Sequence, residues 1–60
     1  MKREYNILGQ TVKLTDNEFN NIASVSYNDM RRAKDTHEEA IERIAEILKV
    51  SKERIKIALE

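Results

Sequence analysis

The chain has 60 residues with 11 Lys+Arg against 11 Asp+Glu, a single histidine and no cysteine or proline. A domain this short buries only about 60% of the surface its unfolded chain exposes, and without cysteine no disulfide or thiolate metal site can supplement its core. Zero net charge lacks the basic excess that usually accompanies non-specific polyanion binding, and no apolar run approaches the roughly 20 residues of a membrane span. With no secretory leader pattern at the start, the expectation is a cytoplasmic protein without membrane contact, stabilised by forming a homodimer.

The first segment, EYNILGQTVKL, reads as a β-hairpin over about residues 3–15. Gly9-Gln10 offers a Gly-first two-residue turn, which sets Leu8 against Thr11, Ile7 against Val12, Asn6 against Lys13 and Tyr5 against Leu14. Tyr5, Ile7, Val12 and Leu14 then share one face, and Leu8 is the misfit on the other. A lone two-stranded hairpin is marginal in water, so that face must cover helices or a second subunit.

Thr15-Asp16-Asn17-Glu18 is a capping box, with Leu14 and Phe19 placed for a hydrophobic staple. It opens a helix over about residues 16–25 that turns Phe19, Ile22 and Ala23 inward. The run SVSYNDM is rich in side chains that compete for backbone hydrogen bonds. It predicts a break near Ser24–Ser26 and a separate short helix over about residues 27–34.

A second capping box, Thr36-His37-Glu38-Glu39, opens a helix over about residues 37–49. Its apolar stripe is Ala40 or Ile41, then Ile44, Ile47 and Leu48. The fold class expected is therefore α+β: an N-terminal hairpin followed by three or four short helices.

The last third, IERIAEILKVSKERIKIALE, permits several architectures. One is a continuous helix, because His37, Ile41, Ile44, Leu48, Ser51, Ile55 and Ala58 alternate four- and three-residue steps, although Ser51 packs poorly in such a seam. Another is a ribbon-helix-helix dimer, which needs a strand that KDTHEEA does not supply. A third is a helical hairpin packed on the N-terminal sheet. The fourth rests on Ile44-Ala45, Leu48, Val50, Ile55 and Ala58-Leu59, whose spacing resembles the helix-turn-helix of phage Cro-type and repressor-type proteins.

In that motif a small residue such as Ala45 lets the helices cross closely, the other apolar positions join the helices to the body, and Ser51 caps the second helix. This sequence has Lys49 at the turn, where glycine is usual, and a left-handed lysine costs about 1 kcal/mol. The resemblance covers Ile41 to Glu60 and implies a recognition helix over about residues 52–59 that enters the major groove of double-stranded DNA by its N-terminal end. Ser51, Lys52, Glu53 and Lys56 would then meet base edges or phosphates, and Lys49 and Arg54 would add phosphate contacts. Charge is unevenly spread, with four acids and one base from Glu38 to Glu46 and four bases and one acid from Lys49 to Lys56. The helix dipole explains Glu38 and Glu39 well, but explains Lys52 poorly if a new helix starts there.

Chemistry of other kinds is weakly signalled. His37 reads as exposed in the first turn of its helix, and Glu38, Glu39 and Glu42 as a solvated face favoured by the helix dipole rather than a metal set. Arg31, Arg32 and Lys34 form a second basic group, either a solvated helix end or further phosphate contacts. Tyr27 reads as a core residue in preference to a base-stacking one. No phosphate-cradling glycine loop or nucleophile-plus-base spacing occurs, so neither enzyme activity nor a cofactor is expected. The expected function is a small sequence-specific DNA-binding regulator of the phage or mobile-element kind, acting through the C-terminal helix-turn-helix. The alternative is a protein-binding inhibitor or adaptor without nucleic-acid contact.

Overall fold

Strand β1 (Arg3–Ile7) turns at once into β2 (Gln10–Leu14), and the chain continues through helices α1 (Asp16–Arg32), α2 (His37–Leu48) and α3 (Lys52–Leu59), in a computed structural model that describes residues 1–60. The hairpin and the helix boundaries near residues 16, 37 and 52 agree with the sequence expectation. Three features differ from it.

The turn is Leu8-Gly9, not Gly9-Gln10. Both residues have positive φ, 51° and 82°, as a type I′ turn requires. Pairing shifts accordingly: Tyr5 faces Val12, Asn6 faces Thr11, Ile7 faces Gln10 and Arg3 faces Leu14. The shift preserves the strand alternation, so Tyr5, Ile7, Val12 and Leu14 remain half-buried on one face. It also removes the misfit, because Leu8 leaves the ladder and stands exposed in the turn.

No break occurs at Ser24–Ser26; α1 runs unbroken to Arg32, and the separate helix over residues 27–34 does not exist. Phe19, Ile22, Ala23, Tyr27 and Met30 recur at three- and four-residue steps, and all pack into or against the core. That continuous stripe outweighs the local preference of the serines and asparagines for other conformations. In α2 the buried residues are Ala40, Ile41, Ile44, Ala45 and Leu48, whereas Ile47, expected inside, is exposed. Burial of Ala45 rotates the stripe away from Ile47.

Both expected capping boxes form. Thr15 Oγ1 accepts from the Glu18 amide (3.1 Å) while the Thr15 amide donates to Glu18 Oε1 (2.8 Å), and Thr36 and Glu39 repeat the exchange at 3.2 Å each. These amide donors hold both carboxyls below the ordinary carboxylate value. The helix stops also repeat. Just past α1 and α2, Lys34 and Lys49 are left-handed at φ 71° and 57°. At each stop the following amide reaches back to a carbonyl in the last turn, Asp35 to Met30 (3.1 Å) and Val50 to Ala45 (3.0 Å).

The core joins Phe19, Ala23, Ile41, Ile44, Ala45, Leu48 and Ile55, with Tyr5 and Ile7 of the hairpin packed against it. Tyr5 stacks on Phe19 with ring centroids 4.5 Å apart. The hairpin face thus finds its cover within the same chain. A radius of gyration of 10.9 Å is close to the roughly 10 Å expected of a compact chain of this length.

Candidate nucleic-acid interface

The stretch Ile41–Glu60 is two helices. Lys49 takes φ 57° and ψ 44°, which ends α2, and Val50-Ser51 carries the chain into α3. Ile44, Leu48 and Ile55 are fully enclosed, and Val50, Ala58 and Leu59 pack around them. Ala45, at 8% exposure, sits where the chain doubles back and its carbonyl accepts the Val50 amide. A larger side chain there would hold the helices apart.

Ser51 is the N-cap of α3, its hydroxyl accepting from the Arg54 amide at 3.3 Å. The hydroxyl proton stays free to donate. The third position of α3 is Arg54, so no carboxylate folds back over this helix start as Glu18 and Glu39 do over the other two. The remaining amides of its first turn have no partner within the helix.

The six side chains singled out in the sequence separate into groups. Lys49, Ser51, Lys52, Glu53 and Lys56 are all exposed, from the turn along the first half of α3. Lys52 is already engaged: its Nζ donates to Glu42 Oε1 across the α2–α3 junction at 2.9 Å. That bond, with the charges of Glu42, Glu38 and Glu53, raises the Lys52 pKa above its ordinary value.

Arg54 is placed elsewhere. Its guanidinium carbon lies 4.3 Å from the centre of the Phe19 ring, and its Nη1 is buried without a hydrogen-bond partner. In this position it serves the core, and contact with phosphate would require it to leave Phe19. Periodicity cannot reveal that placement, because it depends on how α3 crosses α1. The Glu42–Lys52 pair was also missed from the sequence. Its only signal is a ten-residue separation across a turn, readable once the turn is known.

Around this surface, Arg31 Nη1 donates to the Asp35 carbonyl at 3.2 Å, closing the end of α1, while Arg32 and Lys34 are exposed. Arg43 Nη1 lies 3.3 Å from Asp35 Oδ2, a pairing by charge without hydrogen-bond alignment. The Tyr27 hydroxyl and His37 Nδ1 are 2.8 Å apart, so this histidine, exposed as expected, also links α1 to the start of α2. Tyr27 itself packs against the core. Glu38, Glu39 and Glu42 do not converge, since Glu39 serves its cap and Glu42 holds Lys52. No helix is long and apolar enough to cross a membrane. No protein-family model, curated protein or solved structure matches this chain.

Proposed function

We propose that the chain is a small sequence-specific DNA-binding regulator that reads duplex DNA with α3. The observation that carries the reading is the left-handed Lys49, which divides the last third into two helices joined by a short turn. Ser51, Lys52, Glu53 and Lys56, from the N-cap through the first half of α3, are exposed. A helix presented by its N-terminal end is the element that fits the major groove. Lys49 and Lys56 would neutralise phosphates, Ser51 would donate, and Glu53 would accept from cytosine.

A single copy offers few phosphate contacts and no net charge, so useful affinity calls for two copies on a palindromic site. The homodimer belongs to the same proposal on that ground. The requirement comes from binding; within the fold, Tyr5 and Ile7 of the half-buried hairpin face already pack on the core of the same chain.

The test is fluorescence anisotropy with a labelled mixed-sequence duplex over a range of salt. Affinity is expected to fall linearly on log–log axes, and Lys56→Ala to reduce the slope by about one unit per bound copy without moving the melting midpoint. Lys52→Ala is expected to reduce it by less, because Glu42 already compensates that charge. Arg3→Ala in the hairpin should do neither.

One observation favours a second reading. The exposed side of α2 carries Glu38, Glu42 and Glu46 at four-residue steps, and Glu42 and Glu38 act on Lys52 at the α3 start, a surface that repels phosphate and suits a basic protein partner. Absence of DNA affinity in low salt, both in wild type and in a variant whose Lys52 is released from Glu42, would move the function to that protein-binding class.

A further inference from the structure

Resting on the DNA-binding reading, we infer that Glu42 is a specificity-determining residue, which withholds Lys52 from the phosphates of DNA that α3 does not otherwise fit. Lys52 is the first residue of α3, where the helix would meet the duplex. Its ammonium is bonded to Glu42 of the preceding helix at 2.9 Å. The two side chains are 50% and 59% exposed, so a phosphate can reach the ammonium and displace the carboxylate. Glu38 and Glu53 act on the same ammonium, which makes its surroundings acidic on balance.

The physical consequence follows from what drives a lysine–phosphate contact. Most of the gain is release of cations condensed on the duplex, about 0.9 per phosphate neutralised. A lysine that must first leave a carboxylate frees fewer ions in total, because the abandoned Glu42 gathers a cation within the DNA field. Generic duplex therefore gains little from Lys52. A duplex whose bases also engage Ser51, Glu53 and Lys56 gains enough from the rest of the helix to draw Lys52 across. Discrimination can be built in this way, by making the wrong partner worse.

A purely structural clamp between α2 and α3 makes a different prediction. Exposed ion pairs contribute little to stability, and a clamp has no bearing on how many ions DNA binding releases. The experiment uses the full chain and a short mixed-sequence duplex, comparing wild type, Glu42→Gln, Lys52→Ala, the double variant, and Glu46→Gln as a charge-matched control. Glu42→Gln is expected to tighten non-specific binding several-fold at low salt and to steepen the salt dependence by up to about one unit. In the Lys52→Ala background it should leave the slope unchanged, and Glu46→Gln should produce only a small change. Binding that appears in Glu42→Gln while wild type stays silent would support the inference in its strongest form. An unmoved slope in a protein that does bind, an equal effect without Lys52, or an equal effect from Glu46→Gln would overturn the inference alone. Absence of binding by both wild type and Glu42→Gln would overturn the DNA reading, and this inference with it.

Discussion

Replacing Lys49 by glycine tests the feature on which the two-helix architecture depends. An L-residue in the left-handed region carries roughly 1–2 kcal/mol of strain, which glycine removes. Glycine also gives the unfolded chain extra freedom, worth about 0.5–1 kcal/mol in the opposite direction. The Lys49 side chain is exposed and forms neither a hydrogen bond nor an ion pair, so the substitution sacrifices no side-chain contact. Its amide, which bonds to the Ala45 carbonyl, is retained. The difference is a net stabilisation of roughly 0.5–1 kcal/mol. For a domain of this size that corresponds to a rise of about 3–8 °C in the melting midpoint.

Lys34 supplies an independent copy of the experiment, with φ 71° and the same exposed setting. The double variant should show nearly the sum of the two effects. Thermal and urea unfolding followed by circular dichroism measures both, with an unchanged urea m-value confirming that the unfolding reaction is the same. A continuous helix through residue 49 would give the opposite sign, a loss of about 1 kcal/mol on introducing glycine in mid-helix. A fall of several degrees in Lys49→Gly would therefore refute the helix stop.

Four further outcomes are expected. Leu8→Asn should stabilise the domain by up to about 1 kcal/mol, because asparagine tolerates the left-handed first position of the turn and Leu8 is too exposed to lose much burial. Gly9→Ala should cost about 1 kcal/mol from backbone strain alone, since a Cβ there meets nothing within 4 Å; an unchanged midpoint in both would contradict the type I′ turn. Glu18 and Glu39 have folded pKa values below the ordinary 4.5, so their contribution is complete above that value and fades as pH falls through the depressed one. Glu18→Gln with Glu39→Gln should flatten the acid limb of the stability profile, and an identical limb would count against the caps. Arg54→Ala should lower stability through lost packing on Phe19, by about 0.5–1 kcal/mol for the cation–π contact alone, with no change in the salt slope of DNA binding; a reduced slope would return Arg54 to the phosphate surface.

Local chemistry made much of this fold readable. Thr15, Thr36 and Ser51 announce their helices because a cap is decided within four residues. The shared face of Tyr5, Ile7, Val12 and Leu14 was readable because strand alternation survives a two-residue shift in pairing. The register itself was not, since Gly9 suits either central position of a two-residue turn and the choice lies in packing against the helices. The unbroken α1 was hidden for a related reason: Ser24 and Ser26 carry a local preference that the tertiary stripe from Phe19 to Met30 overrides. At the candidate interface the exposed residues of α3 were legible from its cap and period. Arg54 over Phe19 and Lys52 on Glu42 were not, because each contact joins elements whose crossing no local pattern records.

Phe19 touches Tyr5 of the first strand and Arg54 of the last helix, so the two ends of the chain meet on one aromatic ring. The hairpin is consequently no detachable ornament on a helical module. Deleting it would strip one neighbour from the ring that positions α3, and a cut-down version of residues 16–60 should present that helix loosely even where its helical content survives. Variation that alters the hairpin would reach the opposite end of the sequence without touching it, through the orientation of α3.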